Sequence, residues 1–67
     1  MKCYEVHVRY SNQNGYSAFF KADLDTPNDL EITREATNQG VIEEDDFGFV
    51  DYAVEITEGE FKEALGL

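Results

Sequence analysis

The sequence predicts an α+β fold: a small three-stranded antiparallel sheet built in the order ββαβ, strand order 2-1-3, with one main helix on one face and a short C-terminal helix. Three observations carry this. Two early runs alternate strictly, a central stretch carries helix punctuation at both ends, and a third alternating run follows it. A helix between the second and third strands makes those two run the same way. The right-handed crossover rule then lets the first strand lie between them, antiparallel to both.

In residues 2–10, Tyr4, Val6, Val8 and Tyr10 point one way and Cys3, Glu5, His7 and Arg9 the other, the period of a half-buried strand. Residues 16–24 repeat the pattern, with Tyr16, Ala18, Phe20, Ala22 and Leu24 opposite Ser17, Phe19, Lys21 and Asp23. Between them lies SNQNGY. A two-residue turn at Asn14-Gly15 sets Tyr10 opposite Phe19 and mixes the faces, because directly opposed residues share a side. A three-residue loop, Gln13-Asn14-Gly15, sets Tyr10 opposite Ala18, Val8 opposite Phe20 and Val6 opposite Ala22. Gly15 then takes the left-handed position beside a bulge.

The stretch DTPNDLEITREATNQGV reads as a helix capped by Thr26, with Pro27 at the first helical position, Asp29 at the third and Gly40 as terminator. Its inward stripe is Leu30, Ile32, Thr33, Ala36, Thr37 and Val41. The third strand is expected from about Phe47 to Thr57, with Val50, Tyr52, Val54 and Ile56 on the core face. The tail EFKEALGL forms a helical turn or two and folds Phe61, Ala64 and Leu65 back on the core. Both helices lie on one face, which leaves Cys3, Glu5, His7, Arg9, Phe19, Lys21, Phe49, Asp51 and Glu55 on an open one.

The chain has 67 residues, which fits a single domain, 1–67, since a chain of about 60 residues buries only about 60% of its unfolded surface. Charge is the outstanding feature: 15 acids stand against five Lys and Arg, a net charge of −10. The bias is one-sided. Residues 1–22 hold Lys2, Arg9 and Lys21 against Glu5 alone, whereas residues 23–67 hold every other acid against Arg34 and Lys62. Such a field repels nucleic acid and anionic membrane and steers basic surfaces inward. A single cysteine, Cys3, excludes an internal disulfide and favours a reducing compartment. No apolar run approaches the roughly 18 residues that span a membrane.

The chemistry-bearing residues do not assemble a reaction site. Cys3 and His7, four apart on one strand, lie about 13 Å from one another at about 3.3 Å per residue, too far for a nucleophile and its base, and both read as surface groups. The acidic run EEDDFGFVDYAVEI does not supply the ligand pattern of a calcium loop, since Phe47 and Phe49 stand where ligands are needed. Paired carboxylates need a walled cleft, and pockets run from about 300 Å³ upward, more than so short a chain is expected to enclose. The expectation is therefore no catalytic residue, no metal and no cofactor.

What remains is the acidic surface: Glu43, Glu44, Asp45 and Asp46, then Asp51 and Glu55 on the third strand, then Glu58, Glu60 and Glu63. A β-strand advances about 3.3 Å per residue, close to the phosphate rise of about 3.4 Å along one DNA strand, so these groups are expected to form a negative band. Phe47 and Phe49 supply an apolar anchor beside it. In its length, in the excess of VIEEDDFGFVDY and ITEGEFKEALGL, and in its lack of a catalytic constellation, the chain resembles the small acidic DNA-mimic proteins of phages and mobile elements, anti-CRISPR proteins in particular. The resemblance implies a non-enzymatic inhibitor in the host bacterial cytoplasm. It would occupy the basic nucleic-acid groove of a target such as a type I CRISPR-Cas surveillance complex, with no direct contact to nucleic acid or membrane.

The competing reading is a small homo-oligomeric assembly or protein-interaction module of phage origin, monomer or weak homodimer, using the open face or an edge strand. Its acidity then serves solubility or halophilic adaptation.

Overall fold

Strands β1 (Lys2–Ser11) and β2 (Asn14–Ala22) form the hairpin that the alternation predicts, and β3 (Val50–Ile56) joins the free side of β1. The result is a three-stranded antiparallel sheet of order β2-β1-β3 with two helices, α1 (Asp29–Asn38) and the short C-terminal α2 (Glu58–Leu65), the expected α+β class. This computed structural model describes residues 1–11 and 14–67. Its radius of gyration is 11.3 Å, against about 11 Å from the usual size scaling.

The even-numbered face of β1 and β2 is the core face. Tyr4, Val6 and Val8 are fully buried against Phe20, Ala18 and Ala22, and α1 closes the layer with Ile32 and Ala36. Tyr4 and Phe20 stack with ring centroids 5.5 Å apart. Ile42, just past α1, is also buried in this cluster, although nothing in the sequence marked it.

The hairpin register differs from the expected one. Tyr4 faces Phe20, Val6 faces Ala18 and Val8 faces Tyr16, a slide of four residues with the faces preserved. Ser11 pairs with Asn14, and the ladder shifts between Arg9 and Ser11. Tyr10 is the extra residue there, so a bulge in β1 restores the parity that the longer loop was invoked to supply. Asn14 and Gly15 belong to β2, and the expectation for Gln13 lies outside the described residues. Nor is Gly15 left-handed: positive φ among the glycines occurs at Gly40 and Gly66. It is small for a different reason, since a Cβ on it would strike the Val8 carbonyl oxygen.

A second bulge inverts β3. Tyr52 faces His7 and Ala53 faces Val6, but Val8 faces Val50, so Asp51 is the extra residue. Ala53 is therefore buried under α1, while Tyr52 and Val54 lie on the opposite face, 38% and 41% exposed. Strict alternation had assigned these residues the other way round, and Glu55, opposite Tyr4, belongs to the α1 side. Residues 44–49 form a 3₁₀ turn that takes in the expected start of the strand, residues 47–49.

Both helices are set by local signals. The α1 cap is Asn28, not Thr26: its side chain accepts from the Glu31 N–H at 2.8 Å, and Glu31 accepts from the Asn28 N–H, closing a capping box. Thr26 sits at φ 42° in the turn before it. Gly40 ends α1 as expected, at φ 78°, with the Val41 N–H reaching the Ala36 carbonyl at 3.1 Å. Ile32, Thr33 and Ala36 are its buried residues, and Leu30 is exposed. Thr57 and Glu60 form a second capping box for α2. This helix lies on the face opposite α1. Lys21 stands 5.2 Å over the Phe61 ring and 3.9 Å from the Glu58 carboxylate. The face called open is thus partly covered, Cys3 is buried rather than a surface thiol, and of the expected anchors only Phe61 is buried, Ala64 and Leu65 being exposed.

Candidate functional site

The turn at 44–49 explains what becomes of the acidic run. A 3₁₀ helix repeats every three residues and rises only about 2 Å per residue, so it sorts its side chains into rows. Asp46 and Phe49 share one row, Glu44 and Phe47 a second, and Asp45 and Gly48 a third. The first row faces β1 and β2: Tyr16 donates to the Asp46 carboxylate at 2.6 Å, and the Tyr10 ring lies 5.6 Å from Phe49. The second faces α1, where Glu44 and Phe47 line an open hollow with Arg34, Thr37 and Asn38. Asp45 points outward.

Asp46 is consequently a structural acid. It is buried, and the Tyr16 hydroxyl, then that of Tyr10, hold its carboxyl below the usual carboxylate range. Burial, reinforced by Asp46, pushes Tyr16 far above the usual phenol value, and the nearby Asp46 carboxylate raises Tyr10 as well. By contrast, the side chains of Glu43, Glu44 and Asp45 are exposed and have no hydrogen-bond or ion-pair partner among the described residues. The same turn carries Phe49 into an aromatic group with Tyr10 and Tyr16, Tyr10 and Phe49 being 44% and 48% exposed, and of the three free acids Glu43 lies near enough to act on Tyr10.

The other expected site residues lie elsewhere. Asp51, in the β3 bulge, pairs with Arg9 at 3.0 Å. Glu55 is at the opposite end of the strand, where it and Asp23 reinforce the rise that burial gives the Tyr4 hydroxyl. Glu58 lies within 4 Å of both Lys21 and Lys62, and Glu60 is held low by the Thr57 backbone N–H that it caps. Glu63 borders a second hollow with Glu5, Phe19, Ile56, Glu60 and Ala64, about 300 Å³ and open to solvent. The acids therefore do not run as one band: a wound turn and a bulge divide them between the two ends of the sheet, about 20 Å apart over seven strand residues.

One grouping was missed by sequence reasoning. On the face opposite α1, Tyr52 and Ser17 both donate to the Glu5 carboxylate, at 2.7 and 3.2 Å. His7 Nδ1 lies 2.9 Å from the Ser17 hydroxyl, and its ring stacks on Tyr52 at 5.2 Å. With the Ser17 proton committed to Glu5, His7 Nδ1 donates to Ser17. This order is the reverse of a base taking a proton from a nucleophile. Glu5 also holds the Tyr52 hydroxyl above its ordinary value. The signal was the register, which alone places residues 5, 7, 17 and 52 side by side. Among the described residues no three His, Cys, Asp or Glu side chains converge to hold a metal ion.

Compared with known proteins, the chain matches no family model, no curated protein and no solved structure.

Proposed function

We propose that this protein is a non-enzymatic inhibitor that enters the basic, nucleic-acid-binding groove of a partner protein with the 43–49 corner leading. One observation carries the reading: a single turn presents Glu43, Glu44 and Asp45, exposed and without a partner among the described residues, together with the half-exposed ring of Phe49, which packs on half-exposed Tyr10. Clustered charge steers association, and a neighbouring aromatic supplies the desolvated anchor on which affinity depends. The rest of the acid surplus adds long-range attraction, because among the described residues only Asp51 and Glu58 form ion pairs.

Competition tests the proposal. The protein is expected to displace labelled duplex DNA from a type I surveillance complex, the partner implied by the resemblance to DNA mimics, and to lose potency as salt rises. The triple variant Glu43→Lys, Glu44→Lys, Asp45→Lys is expected to abolish displacement while keeping the wild-type circular dichroism spectrum. Asp46 is left intact because it anchors the turn. Displacement equal in wild type and triple variant would remove the corner from the mechanism, and no displacement from any DNA-binding protein would remove the inhibitor reading.

A further inference from the structure

The sheet has two edges, and they are protected unequally. The β3 edge is interrupted by the Asp51 bulge and carries two acids, Asp51 and Glu55, which are the devices that keep a strand edge from pairing with another chain. The β2 edge has neither. It runs nine residues, NGYSAFFKA, with no acid and no proline. Among the described residues one bond is recorded to its backbone from outside the sheet: Gln39 Nε2 donates to the Lys21 carbonyl at 2.8 Å. Residues 14–20 are left as a ready template.

We propose that this edge is a self-association surface, on which a second copy of the chain adds its own β2 antiparallel about a two-fold axis at Ser17. Charge selects the second copy. Two chains of net charge −10 approach with least repulsion where acids are fewest: β2 itself carries none, and the carboxylates that touch it, Glu5 at Ser17 and Asp46 at Tyr16, are each held in hydrogen bonds. Pairing along β2 sends the two β3 edges to the outside of a six-stranded sheet. They then lie about 24 Å apart at about 4.8 Å per strand, well beyond the Debye length of about 10 Å at 0.1 M salt.

Size matching selects the register. With Ser17 on the axis, Tyr16 faces the second copy's Ala18 on the core side, and half-buried Phe19 faces the second copy's Gly15 on the other. Each large side chain meets a small one, and Phe19 covers bare glycine backbone, a pairing that rescues edge glycines. The two Lys21 side chains end at opposite ends of the junction and do not repel.

Sedimentation equilibrium of the full chain, from micromolar to millimolar concentration, tests this. The expected result is a monomer–dimer equilibrium that strengthens between about 0.1 and 1 M salt, because the copies repel. The proposed binding to a basic groove has the opposite salt dependence, so failure of one reading is distinguishable from failure of the other. Ser17→Glu sets two carboxylates side by side on the axis and is expected to weaken the dimer at least about tenfold, with circular dichroism verifying that the variant is folded. Ser17→Cys is expected to form a disulfide-linked dimer on mild oxidation. The proposal is overturned by a monomer at millimolar concentration in high salt, by a dimer indifferent to Ser17→Glu, or by one that Val54→Glu on the exposed sheet face dissolves instead.

Discussion

The two faces of this sheet are held by different physics. Under α1 the face is dry: Tyr4, Val6, Val8, Phe20, Ala53, Ile32, Ala36 and Ile42 pack into one apolar cluster, and the hydroxyl of Tyr4 is buried there without a hydrogen-bond partner among the described residues. The opposite face is wet and hydrogen-bonded. Glu5, His7, Ser17 and Tyr52 form a polar chain, and α2 covers only the end near Cys3 and Lys21. A chain this short thus concentrates its burial on one side, leaving the other able to carry exposed aromatic and charged groups at little cost to stability.

The largest expected effect comes from cutting into the dry face. Phe20→Ala should cost about 3–5 kcal/mol, the usual penalty for a large buried ring, and Ile42→Ala about 2–5 kcal/mol. Val54→Ala on the wet face should cost well under 1 kcal/mol, as exposed substitutions do. Urea denaturation of the three variants checks the ranking. Comparable losses at Phe20 and Val54 would mean that the wet face is covered in solution, and a concentration-dependent midpoint would then point to self-association.

Much of the dry face was legible. Period-two alternation named Tyr4, Val6, Val8, Ala18, Phe20 and Ala22 correctly, because a half-buried strand writes its burial into consecutive residues. Glycine at the end of α1 was equally readable, being a local backbone requirement, but the cap slipped from Thr26 to Asn28 because two good capping residues stood two apart. Register and the β3 face were not legible. Each depends on a single bulge residue, Tyr10 or Asp51, whose extra position is set by long-range packing and reverses or shifts every later side chain. The candidate site suffered likewise. Phe49 and the acids 43–45 were identified, but Asp46 was assigned to the surface, and Tyr10 was assigned to the core.

Gly15 gives the next effect in size and tests the hairpin itself. Adding a methyl group there drives it into the Val8 carbonyl oxygen, a clash with backbone that cannot rotate away. Gly15→Ala should cost about 1–3 kcal/mol, as overpacking typically does. If the left-handed reading of this position held, alanine would be penalised similarly but Gly15→Asn would be tolerated. The structure predicts that Asn is worse than Ala, and equilibrium unfolding of the pair decides.

Two tyrosine hydroxyls contrast the faces with a single atom. Tyr4→Phe removes a buried hydroxyl that has no hydrogen bond among the described residues and should stabilise the protein by about 1 kcal/mol. Tyr52→Phe removes a 2.7 Å bond to Glu5 and should destabilise by about 1 kcal/mol. All four tyrosines are held above the ordinary phenol value. A group whose folded-state value is raised stabilises the fold below its unfolded value and loses that contribution as pH rises. Stability should therefore fall above about pH 10, with phenolate absorbance appearing together with unfolding. Tyrosines that titrate at the ordinary value in the folded protein would contradict these environments.

The smallest effects separate the neighbours within the acidic run. Glu44→Gln removes a charge with no partner among the described residues and should leave stability at neutral pH within about 0.5 kcal/mol of wild type. Asp46→Asn removes the acceptor of the Tyr16 hydroxyl and should destabilise measurably at neutral pH. Because the folded-state Asp46 carboxyl titrates below its ordinary value, its contribution is complete above about pH 4 and declines as pH falls through that depressed value. The gap between wild type and Asp46→Asn should accordingly be constant from pH 7 to about 5 and narrow below about 4. A pH-independent gap for Asp46→Asn would show that the asparagine fails through packing and not through lost charge. Equal effects at residues 44 and 46 would show that the turn does not divide the run into an anchoring acid and free ones.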